Sequence, residues 1–221
     1  MANDDQKSRI LDRSAPFDDP ESKKYLSGVA FHWYQNLDFI LPFVGSYKKL
    51  KKFYKAYPDM FMLGTEACEG YMPGFTGTGK GPALHNLEKA WKRAENYARD
   101  IIENSNSMAG GWVDWNLFLN TNGGPNWANN MPMYYIMGHF SKFVPPGSKR
   151  IKFSKTRTLH NFHHCAFVTP NNQIVMQFLN RGSSKVTISV KQTDPNTITL
   201  TLSPHSIHTL ILPASEDTKI L

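Results

Sequence analysis

Three times between residues 29 and 143 a short apolar run gives way to a stretch with helical periodicity. This alternation limits the fold more than any other feature of the chain. The apolar runs cover residues 29–34, 60–67 and 111–119, and the helical stretches cover 47–57, 83 to about 102, and 134–143. In the first helical stretch Tyr47, Leu50, Phe53 and Tyr54 fall on one face at spacings of three and four. Gly70, Gly74, Gly77, Gly79 and Gly81 break the chain after the second run, and Asn122-Gly123-Gly124-Pro125 is a strong turn signal after the third. Buried strand alternating with helix at this spacing predicts βα units around a parallel sheet.

After Pro145-Pro146-Gly147 the pattern changes. Short apolar runs at 166–168, 174–179, 186–190, 198–202 and 207–212 are broken by Asn, Gly, Pro and Ser, as in an antiparallel module. The expected fold class is therefore α/β plus all-β, with a boundary near Pro145: a partial barrel over residues 1–145 and a β-sandwich segment over 146–221. Three βα units cannot close a barrel, which needs eight.

The chain has 221 residues, 40% of them hydrophobic and 13% aromatic, enough apolar material for one large domain or two unequal ones. No apolar run approaches the roughly 20 residues that span a bilayer, and Met1-Ala2-Asn3-Asp4-Asp5 is too polar to begin a secretory signal. The net charge of +7 suits an anionic partner. However, the lysines and arginines of segments 48–55 and 149–152 lack the aromatic interleaving of single-stranded nucleic-acid readers, so no nucleic-acid partner is expected. Cys68 and Cys165 are too few for a disulfide framework or a zinc ribbon and read as free thiols. His160, His163 and His164 form the one histidine cluster, and without a Cys-x-x-Cys or a helical His partner no metal and no cofactor is expected.

Strand ends in a parallel βα array share one rim, where polar residues are disproportionately catalytic. Three such ends are rich here: His32-Trp33-Tyr34, Thr65-Glu66-Ala67-Cys68-Glu69 and Trp112-Val113-Asp114-Trp115-Asn116. Glu66, between a buried run and a Gly-rich loop, suits a nucleophile, and Tyr34 on a neighbouring strand could hold it by a hydrogen bond. Trp115 offers a stacking surface for a sugar ring and Asn116 a hydrogen-bonding amide. Each has a plainer reading: Glu66 as an exposed or ion-paired carboxylate, Trp112, Trp115 and Trp127 as packing, His32 as a satisfied core histidine.

Six strings carry a resemblance. Val29-Ala30-Phe31-His32-Trp33-Tyr34, Glu66-Ala67-Cys68, Trp112-Val113-Asp114-Trp115-Asn116-Leu117, Gly123-Gly124-Pro125-Asn126-Trp127, Gly138-His139-Phe140-Ser141-Lys142-Phe143 and Ser206-Ile207-His208-Thr209 resemble, in order, the animal glucosylceramidases of glycoside hydrolase family 30. The similarity begins at Asp4-Asp5-Gln6 and covers nearly the whole chain. It implies a (β/α)8 barrel with an appended β-sandwich and a retaining mechanism with two glutamates. On this matching Glu66 is the nucleophile on strand seven, Tyr34 orients it from strand six, and Trp115 and Asn130 lie beside the bound glucose. Cys68 is an unpaired cysteine near the site, and the three units are barrel units six to eight.

The resemblance also implies glucosylceramide or another β-glucoside as substrate, a lysosomal location, an anionic lipid surface and a saposin-type activator as partners. Two departures stand out. No Asn-Glu-Pro, the family's acid/base string, occurs in these residues, and Trp127-Ala128-Asn129-Asn130 runs directly into Met131-Pro132-Met133-Tyr134 where the family has a longer loop. The chain alone is thus expected to be inactive, and a non-catalytic fragment or paralogue acting as a binding or interaction module is the competing expectation.

Overall fold

The computed structural model describes residues 1–34, 46–67, 87–115, 132–191 and 197–214. Its elements, in order, are β1 (Ala2–Gln6), α1 (Ala15–Asp18), α2 (Pro20–Lys23), β2 (Gly28–His32), α3 (Ser46–Ala56), β3 (Phe61–Glu66), α4 (Leu87–Ser105), β4 (Gly111–Trp112) and α5 (Pro132–Ser141). Six further strands follow: β5 (Lys149–Arg150), β6 (Phe162–Val168), β7 (Gln173–Asn180), β8 (Val186–Lys191), β9 (Thr197–Leu202) and β10 (Ser206–Pro213). The chain divides into two units, Met1–Arg93 with Glu103–Tyr134, and Ala94–Ile102 with Tyr135–Leu221, so that α4 contributes to both.

In the first unit β1, β2, β3 and β4 form a parallel sheet in that order. Parallel neighbours need a crossover, and α3 supplies the one between β2 and β3. Its buried Leu50 and Phe53 pack with Val29 and Phe31 of β2, Met62 of β3, and Ile10, Phe17 and Met60. Burying Leu50 and Phe53 completely stabilises by roughly 1.5–3 kcal/mol each. Phe17 and Phe53 meet edge to face at 5.1 Å between ring centroids. At the start of β2 a side chain is impossible: a Cβ on Gly28 would lie 2.4 Å from the carbonyl oxygen of Phe61. The four strands form an open sheet rather than a closed barrel.

The strand β1 departs from the expectation of three units. Its sequence, Ala2-Asn3-Asp4-Asp5-Gln6, has no apolar alternation because its side chains make polar contacts instead. Asn3 Nδ2 donates to the Ala30 carbonyl at 3.0 Å, Asp5 pairs with Arg9 and Arg13 at 3.3 and 3.6 Å, and Asp4 turns toward β2 and β3. Just beyond it, Lys7 is fully buried, with Nζ 3.2 Å from Asn104 Oδ1 and 4.8 Å from the centre of the Tyr47 ring. The aromatic face and the amide replace part of the water this ammonium loses.

In the second unit β10, β7, β6 and β5 form an antiparallel sheet, and β8 pairs with β9 as a separate hairpin. β7 is buried on both faces after Gln173, which explains why apolar residues occupy both faces and only Gln177 breaks the run 174–179. Ile174, Met176 and Phe178 form one core with Phe162, Ala166, Val190 and Leu202. On the other face Gln177 Nε2 donates to the His139 carbonyl of α5 at 3.1 Å, and Cys165, a free thiol, donates to Gln177 Oε1 at 3.7 Å. His164 packs against the Phe153 and Phe162 rings, with centroids 4.8 and 5.8 Å apart, as an aromatic core residue.

Candidate active site

The carboxyl ends of β2, β3 and β4 are stitched together by backbone hydrogen bonds. Trp33 N–H donates to the Glu66 carbonyl at 3.1 Å, Val113 N–H to that of Gly64 at 2.8 Å, and Trp115 N–H to that of Ala67 at 2.8 Å. Tyr34, Glu66 and Trp115 therefore stand at one edge of the sheet. Trp115 is 52% exposed, a flat apolar surface held by its backbone, while the Trp33 ring is buried and meets Trp112 edge on at 6.5 Å. Cys68, Asn116 and Asn130 lie outside the described residues.

Register decides where Glu66 points. Along β3, Met62 packs toward α3 and Gly64 lies against Phe31, so a strict period of two would put Glu66 on that helix-covered face. The ladder instead pairs Phe31 with Gly64 and His32 with Glu66, skipping Thr65. This one-residue shift turns Glu66 to the face of His32, away from α3. There Glu66 Oε2 lies 3.8 Å from His32 Nε2, with the glutamate side chain 24% exposed and the imidazole 18% exposed. The carboxylate is thus screened by its neighbours yet open to a ligand. Beside it, the rings of His32 and Tyr34 meet edge on, 6.2 Å apart.

Sequence reasoning treated His32 as core packing and gave no role to Asp4, yet both stand at this edge. His32 Nε2 is 3.0 Å from Asp4 Oδ1, and Thr65 Oγ1 donates to the same oxygen at 2.7 Å. The Thr65 hydroxyl, aided by His32 and opposed by partial burial, holds the Asp4 carboxyl below its ordinary range, so it is ionised at neutral pH. The signal available in the sequence was the start of the family likeness at Asp4-Asp5-Gln6. Among the described residues no cluster of three or more His, Cys, Asp or Glu side chains could hold a metal ion. Chemically, the edge offers a half-shielded carboxylate, an imidazole, a phenol and an exposed indole, which are the components of a sugar-binding site with a nucleophile.

Comparison with known proteins gives this arrangement its context. Residues 2–131 match the model of the glycosyl hydrolase family 30 TIM-barrel domain, and residues 147–210 that of the family's beta sandwich domain. A Caenorhabditis elegans relative named as a glucosylceramidase is 38% identical over 213 residues, covering 88% of this chain and 38% of the relative. The lysosomal acid glucosylceramidase of Mus musculus is 32% identical over 210 residues, covering 87% and 38%. The chain therefore spans under two-fifths of the length of these relatives. Among solved structures, SrfJ from Salmonella typhimurium shares the fold with a TM-score of 0.76 at 24% identity, over 96% of this chain and 46% of that one. On the two family matches, the first of which spans more than half of it, the chain belongs to glycoside hydrolase family 30 and carries part of the family's TIM barrel together with its β-sandwich domain.

Proposed function

We propose that this chain supplies the nucleophile side of a retaining β-glucosidase acting on glucosylceramide, with Glu66 as the nucleophile. One observation carries the reading: the register shift at Thr65 turns Glu66 onto the open face, at the strand-end edge that also bears Tyr34 and Trp115. In the first step a Glu66 oxygen attacks the anomeric carbon while the bond to the ceramide oxygen breaks and an acid protonates the leaving oxygen. In the second, water attacks the glycosyl-enzyme ester with the conjugate base taking its proton. A retaining pair needs its second carboxyl about 5–5.5 Å away. No Asn-Glu-Pro string is present in these residues to provide it, so the acid/base residue comes from a segment other than these 221 residues. Tyr34 orients Glu66, Trp115 stacks on the glucose, and Asn116, Asn130 and Cys68 complete the surroundings.

The name of the mouse relative supports glucosylceramide as substrate and the lysosome as location. Such a substrate sits in a membrane, and Lys48, Lys51, Lys52 and Lys55, all exposed on α3, supply a basic face for an anionic lipid surface. A saposin-type activator is the protein partner this reading implies.

A second reading, a non-catalytic binding or interaction module, is favoured by the open four-stranded sheet, since uncovered sheet edges and faces promote association. Joining the chain to the preceding part of a full-length relative separates the two. The joined protein should hydrolyse both glucosylceramide and an aryl β-glucoside, and Glu66→Gln should abolish both activities. Full activity in the Glu66→Gln protein would remove the assignment.

A further inference from the structure

Two register shifts flank β2, and the residues they release meet each other. On β1, Asn3 pairs with Ala30 and Asp5 with Phe31, so Asp4 is skipped; on β3, Thr65 is skipped in the same way. Asn3 and Asp4 both adopt left-handed backbone, with φ of 79° and 51°. Asn and Asp are the side-chain-bearing residues that tolerate this conformation best, and such conformations cluster at functional sites. The released side chains bond across the carboxyl end of β2: Thr65 Oγ1 lies 2.7 Å from Asp4 Oδ1 and 3.3 Å from the Phe31 carbonyl. The same Asp4 oxygen is 3.0 Å from His32 Nε2.

An ionised carboxylate can only accept, so the contact with Asp4 requires the hydrogen to be on Nε2 of His32. That same nitrogen is the atom nearest Glu66, at 3.8 Å, within reach of an electrostatic interaction but beyond a hydrogen bond. We propose that Asp4, anchored by Thr65, is a positioning residue that claims the Nε2 hydrogen of His32 and keeps it off Glu66. A full hydrogen bond from the imidazole would tie down a lone pair that the nucleophile needs; an imidazole held at 3.8 Å orients the carboxylate without occupying that lone pair. Among the described residues, the groups around this imidazole are Asp4 from β1, Thr65 and Glu66 from β3, and the ring of Tyr34 at the end of its own strand.

This inference rests on the reading of Glu66 as nucleophile, and the test keeps the two apart. In the joined enzyme, an activated 2-deoxy-2-fluoro-β-glucoside traps the glycosyl-enzyme, and the trapping rate constant is measured separately from the dissociation constant of the reagent. Asp4→Ala and Thr65→Val should each slow trapping by roughly 10- to 100-fold with reagent affinity changed less than about threefold. The double variant should be no slower than Asp4→Ala. Asp4→Asn, which keeps an accepting oxygen, should recover most of the rate. Nitrogen-15 spectra of the His32 ring should show the Nε2–H tautomer in the wild type and in Asp4→Asn, and its loss in Asp4→Ala. Trapping at Glu66 with unchanged rates in Asp4→Ala and Thr65→Val overturns the positioning role; trapping at a residue other than Glu66 overturns the nucleophile reading instead. If Asp4→Ala does not fold, Thr65→Val and Asp4→Asn decide.

Discussion

His32 and Glu66 are paired across β2 and β3, with Nε2 of the imidazole 3.8 Å from Oε2 of the carboxylate. The pairing exists because Thr65 drops out of the ladder, so the polarity of the strand end is set by one unpaired residue rather than by the apolar pattern that builds the strand. Deleting Thr65 should make the ladder regular, with Gly64 still opposite Phe31 and Glu66 still opposite His32, and should remove the hydroxyl that bonds Asp4. A crystal structure of the deletion variant that shows Glu66 turned toward α3 would contradict this account of the register.

The depressed Asp4 ionisation makes a pH prediction. A carboxyl whose folded pKa is lowered contributes stability above its unfolded value, near 3.8, and loses that contribution as pH falls through the folded pKa. The principal cause is the Thr65 hydroxyl, so Thr65→Val should be less stable than the wild type at pH 6, and the gap should narrow below about pH 4. Denaturant melts at the two pH values test the sign. A gap that widens in acid would be the wrong sign.

The core beneath the sheet makes a larger prediction. Phe53 is fully buried and touches both the Phe17 and Tyr57 rings, at 5.1 and 4.8 Å. Phe53→Ala should cost about 3–5 kcal/mol, since the cavity adds to the lost transfer energy. Tyr54, half-buried one residue later, should tolerate Ala with a much smaller loss. Chemical denaturation of both variants compares them directly.

In the second unit Glu95 is buried to 2% exposure, with His205 Nδ1 at 3.0 Å from one oxygen and Arg181 Nε at 3.8 Å from the other. Glu95→Ala removes the charged acceptor from both and should destabilise by roughly 1.5–3 kcal/mol. Glu95→Gln, which keeps the shape and one accepting oxygen, should cost less. Equal losses in the two variants would show that the charge alone, and not the shape of the side chain, holds this cluster.

The exposed lysines of α3 predict salt-dependent binding to acidic vesicles. Reversing Lys48, Lys51, Lys52 and Lys55 to Glu should abolish co-sedimentation with phosphatidylserine vesicles at low salt, since each basic group near such a surface contributes about 1 kcal/mol. Equal binding of the chain to neutral and acidic vesicles would remove the lipid-surface proposal.

Much of the fold is legible in the residues. The apolar runs at 29–34 and 60–67, and the face of Leu50 and Phe53 between them, mark β2, α3 and β3 to within two residues, because strand and helix bury their apolar positions at different periods. β1 escapes this reading because its side chains are spent on hydrogen bonds and ion pairs rather than on the core. His32 reads as core packing for a similar reason: its partner Asp4 is 28 residues away on a strand with no apolar signature. The side on which Glu66 lies was beyond any periodic argument, since an unpaired residue reverses the alternation without leaving a trace in the residue types.

The central claim, that Glu66 forms the covalent bond to the sugar, is tested most directly by azide rescue of Glu66→Ala in the protein joined to the preceding part of a full-length relative. With the carboxylate gone, azide entering the vacated space attacks the anomeric carbon from the face opposite the leaving group. The predicted result is an inactive variant that, with an aryl β-glucoside and azide, yields α-glucosyl azide. Formation of β-glucosyl azide would mean that the nucleophile is still in place and that Glu66 has another role, and wild-type turnover without azide would mean that it has none in catalysis.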